Sequence, residues 1–239
     1  MRRTAALLPL LALAACESVD SEAIRTDAMY ADITVETDGA GTATVGATLR
    51  VGGPTSNTFV ELAGGDRLSV KAGEQAVDLT EQSFWELHSY SADLPIDAED
   101  TEYVIAFERS IDTSAPASSV TMPAPFDVVA PEGPEGGDTF SREADAITIT
   151  WDPAEGGDDM VIEVESDCTV HETFALQGDP GTVTLEPGDL MTWDSMADTT
   201  CAAELHVLRM RAGQLDTAYG EGGTIRAVQR RVVEVRLAP

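Results

Sequence analysis

TATVGATLRV, residues Thr42–Val51, decides the fold class. Ala43, Val45, Ala47, Leu49 and Val51 alternate with Thr42, Thr44, Gly46, Thr48 and Arg50. A period of two places the apolar residues on one face and the threonines on the other, the signature of a half-buried β-strand. The same period runs in both directions from this stretch. Ile33 and Val35 alternate with Thr34 and Glu36 before it, across a turn at Asp38-Gly39-Ala40-Gly41. After Gly52-Gly53-Pro54, short strands are predicted at Phe59–Leu62, Leu68–Val70 and Val77–Leu79, then around Tyr103, Ile105 and Phe107, with a last one at Val120 and Met122. The segment Ser83–Asp100 (SFWELHSYSADLPIDAED) reads as irregular with a brief helix. No span holds a helical period over three turns. Short strands with frequent turn signals predict a β-sandwich over residues 32–123.

Pro116, Pro123, Pro125, Pro131 and Pro134 crowd one region. Such a local change in composition predicts a domain boundary near Met122-Pro123-Ala124-Pro125. A second sandwich is expected over residues 124–239, beginning at Phe126 and Val128, with the short linker holding the two in contact. Its clearest strand is Ile147–Pro153 (ITITWDP), followed by Met160–Cys168 (MVIEVESDC) and the turn Leu185-Glu186-Pro187-Gly188. The strand ending Trp-x-Pro, and the leucine-x-proline-glycine turn, resemble fibronectin type III and related immunoglobulin-like sandwiches. That resemblance implies a buried Trp151, a strand over Ala203–Arg211 and a final strand over Ile225–Leu237. Asp189 and Leu190 stand where that family usually has a tyrosine after the turn. The expected fold is all-β, with two tandem immunoglobulin-like or fibronectin type III-like sandwiches.

Residues 1–15 predict a signal peptide. Arg2 and Arg3 precede an apolar run from Ala5 to Ala15, shorter than the roughly 20 residues a spanning helix needs. Leu13-Ala14-Ala15-Cys16 resembles the lipobox of bacterial lipoproteins, which implies lipidation of Cys16. Ala12-Leu13-Ala14 offers an ordinary cleavage site as the alternative. Residues 16–31 are expected to form a tether. The organisation resembles Gram-negative envelope lipoproteins and implies a lipid-anchored address, with Glu17 rather than Asp after the cysteine leaning toward the outer membrane.

Acidic residues number 43 and basic ones 14, a net charge of −29. This argues against nucleic-acid binding, which needs a basic footprint. Cys168 and Cys201 are expected to pair as a disulfide. A Cys2His2 metal site with His171 and His206 is the rival, but strand parity places each histidine on the face opposite its cysteine. His88, within an aromatic cluster of Phe84, Trp85 and Tyr90, reads as structural. No G-x-S-x-G, H-E-x-x-H or phosphate-loop motif is present. Asp158 and Asp159 are the nominal carboxylates for glycan hydrolysis. Asp152, Glu155, Asp158 and Asp159 are weak calcium candidates, with Glu135 and Asp138 on a second loop.

Two surfaces suit a partner. The loop Leu190–Thr200 (LMTWDSMADTT) carries Met191, Trp193 and Met196 and ends at Cys201, and reads either as an adaptable partner surface or as a cover in which Trp193 folds back over an open sandwich edge. Arg209, Arg211, Arg226, Arg230, Arg231 and Arg236 concentrate six of the 14 basic residues in the C-terminal strands and are expected to pair with carboxylates. The sequence predicts a non-catalytic, lipid-anchored envelope module that binds or scaffolds an envelope protein or a glycan. A carboxylate-dependent glycan hydrolase and a calcium-dependent adhesin are the alternatives.

Overall fold

The computed structural model describes residues 17–84, 87–133, 138–154 and 157–239. Cys16, Trp85, Glu135 and Glu155 lie outside the described residues. The fold is all-β, and no helix is long and apolar enough to cross a membrane among the described residues. In chain order the strands are β1 (Glu17–Asp20), β2 (Met29–Thr37), β3 (Ala43–Val51), β4 (Thr58–Glu61), β5 (Arg67–Ala72) and β6 (Gln75–Asp78). Then come β7 (Thr80–Phe84), β8 (Leu87–Leu94), β9 (Glu102–Glu108), β10 (Ala115–Thr121), β11 (Asp127–Ala130) and β12 (Thr139–Ser141). The remainder are β13 (Ile147–Asp152), β14 (Asp159–Ser166), β15 (Glu172–Ala175), β16 (Thr182–Leu185), β17 (Cys201–Ala212) and β18 (Gly223–Ala238).

One sheet runs the length of the molecule in the order β1-β4-β3-β2-β18-β17-β14-β15, with β7, β8 and β12 attached off this path. Its spine is β18. The first half of β18 pairs in parallel with β2, and nearly its whole length pairs antiparallel with β17. Two smaller sheets form the opposing layers, β10-β9-β5-β6 and β11-β13-β16. Since side chains alternate along a strand, residues of one parity on β18 share a face. Ile225 and Ala227 enter the first core, whereas Val235 and Leu237 enter the second. Both cores therefore sit on the same side of the long sheet, one beyond the other.

The first core follows the alternation that defines the fold class. Ala43, Val45, Ala47 and Leu49 are buried against Leu68, Val70, Tyr103, Ile105 and Phe107 of the facing sheet. Ile147, Ile149 and Trp151 of β13 fill the second core, opposite Ile162, Val164, Leu205 and Val207. Trp151 is 2% exposed, and its indole Nε1 donates to Asp179 Oδ1 at 2.6 Å.

Three expectations need correction. Residues 17–31, expected to be a tether, are folded into the body. β1 pairs in parallel with β4, and Ser21 and Thr26 are buried. The sequence hid this because Val19, Ile24 and Met29, which pack in the first core, fit neither a strand nor a helix period, and polar contacts hold Ser21 and Thr26 between them. Ser83–Asp100 is not irregular in its first half, because β7 and β8 form a hairpin there. Its inward residues are the polar aromatics His88 and Tyr90, whereas Leu87 points outward, so hydropathy did not alternate visibly. The cores do not divide the chain at a single point near residue 123. Tyr219, Ile225 and Ala227 return from the C-terminal hairpin to the first core, where the Tyr219 ring stacks on Phe107. Gly223 marks that return. It has φ +145°, and a Cβ there would lie 1.9 Å from the Ala31 carbonyl oxygen. Only glycine permits the close approach by which β18 docks on β2.

The crossing between the cores is bonded residue by residue. Arg211 Nη1 donates to Met122 O, Gln229 Nε2 to Pro123 O, and Arg209 Nη1 to both Ala124 O and Pro125 O. Four consecutive carbonyls are thus satisfied by side chains of the β17–β18 ladder. The junction is a seam, with no free linker between the lobes.

Candidate binding loop and its support

At the far end of β18, Leu237 stands opposite Cys201, and Cys168 and Cys201 form a disulfide. The loop Leu190–Thr200 is built on this end. Leu190 is buried in the second core and Met196 packs against it, so two of the loop's apolar residues serve as anchors. Backbone bonds seat the middle: Val170 N–H donates to Met191 O at 2.8 Å, and Trp193 N–H to Cys168 O at 3.2 Å. A short 3-10 turn over Asp194–Met196 follows. Met191 and Trp193 are left outside, 58% and 51% exposed. Of the three residues named from the sequence, two form the surface and the third, Met196, holds it in place.

Nothing in the sequence pointed to the main support, Arg142. This residue follows β12 and is 5% exposed. Its Nη1 donates to Thr199 O at 2.9 Å and Leu237 O at 3.2 Å, and its Nη2 to Ala197 O at 2.9 Å and Met196 O at 3.4 Å. Nη1 also lies 3.2 Å from Cys168 Sγ. The planar fork of donors matches a fan of carbonyls that a lysine could not reach together. The loop backbone is therefore fixed from beneath, by a covalent bridge and by one guanidinium. A surface held this way loses little further entropy on binding.

On the outer face of β14, β17 and β18, a groove of about 380 Å³ is lined by Glu165, Ser166, Asp167, Ala202, Ala203, Glu204 and Glu234. The loop presents a half-exposed indole and a thioether, an adaptable apolar contact. No nucleophile–base pair is built into the loop.

Other sequence candidates fall elsewhere. His171 is exposed, 3.7 Å from Glu165, whereas His206 lies on the opposite face of β17 from Cys201 and contacts Arg230 and Glu204. With both cysteines oxidised, the Cys2His2 reading is overturned. His88 is 7% exposed and bonds to Glu81, a structural contact. Asp158 is engaged by Arg211 through both carboxylate oxygens, at 2.7 and 2.9 Å, which removes it as a free ligand or acid. Asp152 and Asp159 are exposed at the ends of β13 and β14. Among the described residues no group of three or more His, Cys, Asp or Glu side chains is placed to hold a metal. Four of the six C-terminal arginines form the expected carboxylate pairs: Arg209, Arg211, Arg226 and Arg230. Arg231 instead lies over the Phe126 ring, 5.2 Å from its centroid, and burial lowers its pKa.

The disulfide closes a 33-residue separation. Its reduction is expected to lower the unfolding free energy by about 3–4 kcal/mol on the chain-entropy model. Urea titrations with and without reductant measure this. A change below about 1 kcal/mol would show that Arg142 and the core already fix both ends.

No family model and no curated protein matches this chain. Among solved structures, a tetra-tandem repeat in the extending region of a large adhesion protein is 12% identical, with a TM-score of 0.24. The match covers 87% of this chain and 50% of that one, so this chain spans half its length. The fibronectin(III)-like modules of Clostridium thermocellum CbhA are 12% identical over 87% of this chain and 90% of theirs, with a TM-score of 0.21. The calcium binding domain CBD12 of CALX1.1 is 9% identical over 87% of this chain and 99% of its own, with a TM-score of 0.21. Likeness this slight carries no ligand, activity or partner across.

Proposed function

We propose that this protein is a non-catalytic binding module of the bacterial cell envelope, lipid-anchored at Cys16, that takes a protein partner on the Met191–Trp193 surface. The observation that carries the reading is the exposed pair Met191 and Trp193 on a backbone fixed by the disulfide and Arg142. Exposed aromatics on a rigid base are the usual centres of binding energy. The net charge of −29 favours a partner face that is apolar at its centre and basic at its edge.

Affinity capture of the lipidated protein from its own envelope, run beside Trp193→Ala, tests the reading. The variant is expected to keep its stability within about 0.5 kcal/mol, because the side chain is half exposed, and to lose the captured partner. Retention of the same partner by Trp193→Ala would sink the loop as the binding surface. Capture of oligosaccharide in place of protein would redirect the reading to a glycan, for which the indole face is the stacking platform.

A further inference from the structure

The two functional ends of this chain lie at opposite poles of the long sheet, with no slack between anchor and body. Glu17 stands opposite Thr58, whose neighbour Phe59 stands opposite Arg50, and Val51, next to Arg50, stands opposite Met29. Ala31 in turn stands opposite Gly223. Glu17 is therefore level with the start of β18. Cys201 stands opposite Leu237 at the other end, where Trp193 N–H bonds Cys168 O. At about 3.3 Å per residue, the span from Gly223 to Leu237 is ~50 Å.

The first of these ends is locked. Glu17 N–H donates to Asn57 O at 3.1 Å, so the residue before it begins within one Cα step, about 3.8 Å, of folded backbone. Arg109 donates to Ser21 O and Ile24 O at 2.6 and 3.0 Å and to Thr26 Oγ1 at 2.8 Å. Thr26 N–H donates to Asp112 Oδ2 at 2.8 Å. A segment gripped at Ser21, Ile24 and Thr26 does not pay out as a leash.

We infer that the protein, resting on the lipid anchor proposed above, stands upright on the bilayer with its first lobe at the lipid surface and the Trp193 loop held ~50 Å away, facing outward. The rigid seam at residues 122–125 transmits this stance to the second lobe.

The test uses the full-length lipidated protein in vesicles of phosphatidylethanolamine and phosphatidylglycerol carrying an acceptor dye on the headgroups. A donor is placed at Thr55→Cys, near the first pole, or at Ser195→Cys, beside Trp193. Both residues are exposed. Energy transfer is expected to be strong from residue 55 and roughly tenfold weaker from residue 195, as a height difference of ~50 Å requires. Inserting a glycine-serine spacer between Cys16 and Glu17 is expected to shrink that ratio. Equal transfer from both positions without the spacer would overturn the upright stance while leaving the anchor intact. Failure to bind vesicles, with an unmodified Cys16 by mass spectrometry, would overturn the anchor and the stance together.

Discussion

Arg209→Met is expected to destabilise the protein by about 3–5 kcal/mol, the cost of stripping one partner from a buried ion pair. The Arg209 and Asp179 side chains are both 0% exposed, with 2.6 Å between Nη2 and Oδ2. The same guanidinium holds the carbonyls of Ala124, Pro125 and Pro153, and lies 4.8 Å from the Phe126 centroid. Methionine restores much of the volume and none of the donors. The loss therefore has two sources, a stranded carboxylate and carbonyls left unpaired in the seam. Urea unfolding followed by fluorescence measures it. Adding Asp179→Asn to Arg209→Met is expected to recover part of the loss, since the stranded charge is gone. Full stability in the single variant would mean that the seam is held by Gln229 and Arg211 alone.

Arg109→Met is expected to cost a similar amount, about 3–5 kcal/mol, and to release a defined segment. Arg109 and Asp66 have fully buried side chains, with Nε 2.6 Å from Oδ2. Asp66 also accepts from Ser110 N–H at 2.7 Å and from the Ser21 hydroxyl at 2.8 Å. Loss of the guanidinium should raise hydrogen exchange across residues 20–28 well before the strands respond. Unchanged exchange there would show that β1 pairing suffices. The carboxylate adds a pH signature. Burial pushes the Asp66 pKa up, but bonds from Ser110 and Ser21 and the Arg109 charge outweigh it, and the pKa lies below the ordinary 3.8. A depressed acid contributes stability above its unfolded pKa and loses it as pH falls through the folded value. The latch should therefore hold throughout the neutral range and weaken only below about pH 3.8. Asp66→Asn should flatten that part of the acid limb, and an acid limb identical to that of the unaltered protein would remove Asp66 as its source.

What could be read from the chain, and what could not, divides by the kind of interaction. Ala43–Val51 and Ile147–Trp151 advertise their inward faces because those faces are apolar, and both stretches form the strands expected of them. The disulfide was legible because only two cysteines follow Cys16. The exposed Met191 and Trp193 were visible as apolar residues in a turn-rich segment. Polar architecture left no such mark. Arg109, Arg142 and Arg209 organise the N-terminal latch, the loop and the seam, yet each is buried beside carbonyls contributed by distant residues, at separations of up to 95 positions. Nothing within a local window distinguishes such an arginine from one on the surface. The same reason hid residues 17–28, where Asp66 and Arg109 hold Ser21 and Thr26 and the packed Val19 and Ile24 stand too far apart to show a strand or helix period.

The course of β18 also governs the order in which the molecule can assemble. The first lobe needs Tyr219, Ile225 and Ala227 to complete its core, and β2 needs residues 223–229 as its neighbour. These follow the earlier strands of the second lobe in the chain. A nascent chain of the first 120 residues therefore lacks a strand that its core requires, so this lobe cannot fold as an independent unit while the rest is being made. Contacts spanning some 190 positions must close in a late step. The first lobe stays open until β18 is available, and from then on both lobes become committed together.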